Sequence, residues 1–233
     1  MKRKKIGIMG GTFNPIHIGH LLLGQQALED FSLDQILFIP SGYSYMKDQS
    51  EMTDKYLRYE MCRLAIAEHP DFLLSDVEIR REGNSYTYET LEELKKEYPE
   101  ADFFLILGAD NIFDLESWKY PEKILRSCTI LAAVRPAINS TVHSAVSCVT
   151  NPIEGSDDPE DRSVYLKDSE SLEAQIAYLE HKYHIRIGLL SMPRLEISST
   201  MIRQRLSRNK TVRYMVPDRI LEFISKHDLY RCE

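Results

Sequence analysis

Short, unbroken apolar runs recur along this chain, and helical patterns separate them. The runs are Ile6 to Met9, Ile36-Leu37-Phe38-Ile39, Phe72-Leu73-Leu74, Phe103 to Leu107 and Cys128 to Val134. Most stop at glycine or proline: Gly10-Gly11, Pro40, Gly108 and Arg135-Pro136. A strand with one wet face alternates apolar and polar residues. An unbroken run instead needs cover on both faces, as in a parallel sheet flanked by helices. The intervening segments supply that cover. Leu21, Leu22, Leu23, Ala27 and Leu28 repeat at helical spacing. Tyr56 to Glu68 places Met61, Leu64, Ala65 and Ala67 near one face. Thr87 to Glu97 carries Leu91 and Leu94 in phase, with Pro99 just beyond, and a short helix is expected near Pro121 to Arg126. A further strand at Ile187 to Leu190 and two closing helices within about 198–228 complete the pattern. The expected fold is α/β: a Rossmann-like parallel sheet with helices on both faces and a small C-terminal helical part. In such sheets ligands bind beyond the carboxyl ends of the strands.

Residues 137–184 break the rhythm. They include an acidic, turn-prone run from Glu154 to Asp161, then Leu172, Ile176, Leu179 and Tyr183 at amphipathic helical spacing. The stretch reads as an insertion carrying a loop and one docked helix within a single domain of 1–233. It also explains the charge. The chain has a formal net charge of −7, and the nine acidic and three basic residues of 137–184 account for six of those charges. The remaining body is nearly neutral, so the acidity disfavours nonspecific nucleic-acid binding without excluding a local phosphate site. The four cysteines form no C-x-x-C pair and no zinc spacing, which suits reduced thiols in a cytoplasmic protein. No run of about 18 apolar residues is present, so no membrane partner is expected.

The stretch Gly10-Gly11-Thr12-Phe13-Asn14-Pro15-Ile16-His17-Ile18-Gly19-His20 lies between the first strand and the first helix. Two glycines at a strand end let backbone approach a ligand. A helix start near Ile18 offers N–H groups and a positive dipole end to an anion. His17 and His20 fall on one side of that first turn and can donate to a phosphate. A His-x-x-His pair can also ligate a metal. Here no third ligand stands at helical spacing and no acid follows as in H-E-x-x-H, so no protein-held metal is expected. The dinucleotide fingerprint and the P-loop are both absent. A second stretch, Ile197-Ser198-Ser199-Thr200-Met201-Ile202-Arg203, offers good helix-capping hydroxyls, with Arg203 one turn further on.

These two stretches resemble the H-x-G-H and I-S-x-T-x-I-R elements of the nucleotidyltransferase superfamily. Four further pieces are similar to the bacterial nicotinate (nicotinamide) mononucleotide adenylyltransferases. They are the loop from Pro40 to Lys47, Ser85-Tyr86-Thr87-Tyr88-Glu89-Thr90-Leu91, Gly108-Ala109-Asp110 followed by Trp118, and Arg135-Pro136. The likeness covers residues 5–136 and 187–231. Four positions depart from the family pattern: Asn14 and Glu89 where Asp is usual, Ala137 where Gly is usual, and Tyr43-Ser44-Tyr45-Met46-Lys47 in place of Pro-Pro-His-Lys.

The resemblance implies adenylyl transfer from ATP to nicotinate mononucleotide, giving deamido-NAD and pyrophosphate, with Mg²⁺ as the companion of ATP. It implies catalytic roles for His17, His20, Lys47 and Arg203. Gly10, Gly11, Thr12, Phe13, Gly108, Asp110, Ser199 and Thr200 would bind ATP. Tyr86, Thr87, Trp118 and Arg135 would bind the mononucleotide. A homo-oligomer is compatible with this reading. Three rivals remain: a related transferase acting on nicotinamide mononucleotide, phosphopantetheine or a cytidylyl acceptor; a noncatalytic nucleotide-binding regulator; and a tRNA-handling enzyme, which the short acidic chain disfavours.

Overall fold

The computed structural model describes residues 3–43, 52–134, 172–193 and 195–231. Six strands form one sheet: β1 (Lys4–Gly11), β2 (Gln35–Pro40), β3 (Phe72–Leu74), β4 (Ala101–Gly108), β5 (Thr129–Val134) and β6 (Ile187–Ser191). Their order is β3-β2-β1-β4-β5-β6, and every ladder is parallel. This is the doubly wound order, in which the chain works outward from β1 in one direction and then returns to its other side. The reversal falls between β1 and β4, where Ile8 lies opposite Leu105.

The unbroken apolar runs are explained by two cores, one on each face. In β2, Leu37 and Ile39 point into one core, and Ile36 and Phe38 into the other. The first core is closed by α4 (Thr87–Glu97) through Leu91 and Leu94, by α6 (Pro121–Leu125), and by α7 (172–183) through Leu172, Ile176 and Leu179. The second is closed by α1 (Ile18–Phe31), α2 (Lys55–Ile66), α8 (Ser199–Ser207) and α9 (Asp218–Lys226). Each fully buried Leu or Ile contributes about 1.5–3 kcal/mol. Between β5 and β6 the chain passes through α7, so the amphipathic helix read at the end of 137–184 packs against the sheet. The acidic run before it lies outside the described residues.

The structure adds three short elements that the sequence pattern does not announce: α3 (Val77–Arg80), α5 (Ala109–Asp114) and a single 3₁₀ turn at Leu115–Ser117. It also corrects the phase of α2. The buried residues there are Arg58, Met61, Cys62 and Ile66, while Ala67 is exposed. Cys62 and Cys128 are free thiols, and burial pushes both pKa values up, Cys128 to about 12, so neither is a thiolate at neutral pH. Among the described residues no helix is long and apolar enough to cross a membrane.

Candidate active site

The carboxyl end of β1 leads straight into the turn that carries the first motif. A Cβ placed on Gly10 would meet nothing within 4 Å, so the backbone there borders open space. Phe13 sits in the left-handed region at φ 47, which costs a non-glycine residue roughly 1–2 kcal/mol. Its buried ring helps hold it there, packed 6.0 Å from Phe38 and edge-on to His20 at 5.0 Å between centroids. The Asn14–Pro15 bond is cis.

His17 and His20 are brought together, as the spacing predicts. Their rings stack with centroids 3.7 Å apart. His17 is the N-cap of α1 and is only 6% exposed. Burial lowers its pKa to about 4, so at neutral pH it acts as a neutral imidazole. Its Nδ1 is buried, with no hydrogen-bond partner among the described residues. The backbone N–H of His17 donates to His20 Nδ1 at 3.2 Å. A neutral His20 therefore carries its proton on Nε2, leaving that N–H as a donor. Gly19 packs closely under the His17 ring, where a Cβ would lie at 3.1 Å. The helix end is narrower as an anion site than the sequence suggests, because the Ile18 amide is already bonded to the Met215 carbonyl at 2.9 Å.

The second motif docks onto the first. Ser198 caps α8, its hydroxyl accepting from the Met201 amide at 3.2 Å. Ser199 Oγ donates to the Pro15 carbonyl at 2.9 Å. Arg203 Nη1 donates to the Asn14 carbonyl at 3.0 Å, and its Nη2 reaches Thr200 Oγ1 at 3.4 Å. Tyr230 adds a third link, donating to Asn14 Oδ1 at 2.7 Å. Burial raises the Tyr230 pKa to about 12, so its hydroxyl keeps its proton. Asn14 thus serves as a docking point for the C-terminal part of the chain.

Gly108 and Asp110 lie at the end of β4, the strand beside β1, with Gly108 as the N-cap of α5 and Asp110 exposed in its first turn. Tyr86 and Thr87 begin α4. Their loop is tied to the exit of β2, since the Ser85 amide donates to the Tyr43 carbonyl at 2.9 Å. Behind it, the Glu78 carboxylate accepts from Thr90 Oγ1 at 2.8 Å, and burial pushes its pKa up. Trp118 is partly buried against the core, and its Nε1 has no partner among the described residues. The neighbouring Lys119 Nζ lies 4.0 Å from the centre of the Tyr86 ring. Lys47 and Arg135, expected at the polyphosphate and mononucleotide phosphate, lie outside the described residues.

Several contributors escape the sequence pattern. Arg58 was readable only as an arginine in the apolar stripe of α2, at i, i+3 and i+4 with Met61 and Cys62. Leu229-Tyr230 belongs to the stretch that resembles the family, but the contacts of Tyr230 with Asn14 and of the Met215 carbonyl with Ile18 span long sequence separations and leave no local signal. No group of three His, Cys, Asp or Glu that could hold a metal occurs among the described residues.

Residues 8–205 match the Cytidylyltransferase-like family. The chain is 38% identical over 227 residues to a probable nicotinate-nucleotide adenylyltransferase of Lachnoclostridium phytofermentans, covering 97% of this chain and 99% of that one. It is 36% identical over 230 residues to a probable nicotinate-nucleotide adenylyltransferase of Clostridium botulinum, covering 99% and 100%. Among solved structures it resembles Plasmodium falciparum nicotinic acid mononucleotide adenylyltransferase complexed with NaAD. That match has a TM-score of 0.69 at 20% identity, covers 97% of each chain, and speaks to the fold.

Proposed function

The chain belongs to the cytidylyltransferase-like family and, within it, groups with the nicotinate-nucleotide adenylyltransferases; from that premise we propose that it transfers the adenylyl group of ATP to nicotinate mononucleotide. A phosphate oxygen of the mononucleotide attacks the α-phosphorus of ATP in line. The new P–O bond forms as the bond to the β-phosphate oxygen breaks, and pyrophosphate leaves with that electron pair. No protein nucleophile is required. The protein's task is to position two anions and to stabilise charge as it moves.

The observation that carries this reading is the docking of α8 onto the His17–His20 turn through Ser199 and Arg203. It gathers two sets of phosphate-binding groups at the end of β1, beside the β1–β4 reversal. In the proposed mechanism His17 donates as a neutral imidazole and His20 donates from Nε2–H. Both act on the α-phosphate, where charge develops. Arg203 spends two of its five N–H donors on the Asn14 carbonyl and the Thr200 hydroxyl, leaving the rest of its fork for the leaving polyphosphate. Ser199, Thr200 and Lys47 share that task. The backbone from Gly10 to Phe13 cradles the nucleotide, with Gly108 and Asp110 on its ribose side. Trp118, Tyr86, Thr87 and Arg135 receive the pyridine ring and phosphate of the acceptor. Mg²⁺ enters with ATP as part of the substrate and screens its phosphates.

The test is pyrophosphate release with ATP and, in parallel reactions, nicotinate mononucleotide, nicotinamide mononucleotide, phosphopantetheine or no acceptor. Release that depends on a pyridine mononucleotide supports the reading. ATP binding without turnover on any acceptor would overturn it in favour of a noncatalytic binder.

A further inference from the structure

Arg58 is a charged side chain in the interior that the proposed mechanism does not use. It is 1% exposed, on the face of α2 that also buries Met61, Cys62 and Ile66. Its three nitrogens reach three backbone carbonyls from separate parts of the chain. Nε donates to Thr53 at 2.9 Å, Nη1 to Thr12 at 2.7 Å and Nη2 to Gly42 at 3.0 Å. Among the described residues it forms no ion pair with a carboxylate. Gly42 is held from its other side as well, since a Cβ there would lie 2.3 Å from the Glu78 carbonyl.

A buried cation with neutral partners is an expensive way to fill a core position. An apolar residue of similar volume would pack there without the desolvation cost. Burial lowers the Arg58 pKa, yet a guanidinium starts so high that it stays charged at neutral pH. The charge has an identifiable recipient. Thr12 belongs to the turn between β1 and α1, and its carbonyl points at Arg58. The Thr12–Phe13 peptide is trans, so the Phe13 N–H points away from the guanidinium. A charge-assisted hydrogen bond to the carbonyl fixes that peptide plane and polarises its N–H. Phe13 also carries the ring that abuts His20.

We infer that Arg58 is a positioning residue for ATP, acting through the Thr12–Phe13 peptide to aim and polarise the Phe13 amide toward the bound phosphates. This rests on the reading of Gly10 to Phe13 as the nucleotide cradle. Because Arg58 also holds the exit of β2 at Gly42 and the start of α2 at Thr53, it sets the turn against the two elements beside it.

The experiment compares the wild-type protein with Arg58→Lys, Arg58→Gln and Arg58→Ala. Calorimetric binding of a non-hydrolysable ATP analogue, KM for each substrate, kcat and thermal melting are measured. The expected result is folded Arg58→Lys and Arg58→Gln proteins that bind the analogue at least about tenfold more weakly. KM for the mononucleotide should change less than about twofold, because the positioned peptide belongs to the ATP side. Guanidinium ion at low millimolar concentration should restore analogue affinity to Arg58→Ala, and equal sodium chloride should not. Folded variants with wild-type analogue affinity would overturn the inference, as would equal losses for both substrates. Failure of all three variants to fold would assign Arg58 to the core alone and also overturn it. A wild-type protein that binds the analogue but turns over no acceptor would sink the proposed reaction, and the analogue arm would still decide the role of Arg58.

Discussion

Arg203 and Asn14 stand 189 positions apart in the chain and are joined by a hydrogen bond of 3.0 Å from guanidinium to backbone carbonyl. The bond makes Arg203 both a strut and a candidate phosphate ligand. One arm holds the turn that presents His17 and His20, and the proposed mechanism assigns the remaining donors to the leaving polyphosphate. Replacing it with lysine keeps a charge but loses the planar fork, so the two tasks can no longer be met together. Arg203→Lys should lower kcat/KM for ATP by about ten- to a hundredfold, with only a small loss of thermal stability. Unchanged steady-state constants in a purified, folded variant would remove Arg203 from the reaction.

His20→Ala tests the other side of the turn. His20 is only partly buried and belongs to neither core, and its ring contacts are with Phe13 and His17 at the turn. The variant should fold normally and lose turnover by on the order of a hundredfold, the scale for one lost transition-state donor. Circular dichroism and pyrophosphate release on the same preparation decide it, and near-normal release counts against the assignment.

His17 makes a pH prediction with a definite sign. Its folded pKa of about 4 lies below the ordinary histidine value of 6.5. Between those values the unfolded chain takes up a proton that the folded chain does not, so the unfolded state gains. Stability should be full above pH 6.5 and should fall as the pH drops toward 4, by on the order of 3 kcal/mol for this group. Urea unfolding of wild type and His17→Gln across pH 7 to 4.5 isolates the effect. The variant should show a visibly flatter loss over that window, and parallel curves would refute the assignment.

The acceptor supplies a fourth expectation. A site arranged to hold a carboxylate leaves its donors poorly matched by an amide. Nicotinate mononucleotide should outperform nicotinamide mononucleotide in kcat/KM by about tenfold or more, measured as competing substrates in one reaction. Equal specificity constants would mean that the acceptor site does not tell a carboxylate from an amide, and would overturn this expectation.

Much of this architecture is legible in the sequence because its signals are local. Runs such as Ile36 to Ile39 announce burial on two faces, and both of the motifs proposed to bind phosphate sit at a strand end or a helix start. What escapes is short or distant. The four residues of α3 and the six of α5 are too few to show a helical period. Arg58 breaks the apolar stripe of α2, and an apolar count therefore shifts the face by a residue or two. The bond from Tyr230 to Asn14 belongs to no pattern at all. It exists only because the fold returns the C-terminal segment to the first turn.

That return has a temporal meaning. A polypeptide is made from its first residue onward, so β1 and the paired histidines emerge long before Ser199, Arg203 and Tyr230. A product halted before α8 would contain all six strands of the sheet but would lack the bonds of Ser199, Arg203 and Tyr230 to Asn14 and Pro15. Each newborn copy therefore passes through an interval in which the six strands have been made and the bonds from Ser199, Arg203 and Tyr230 have not.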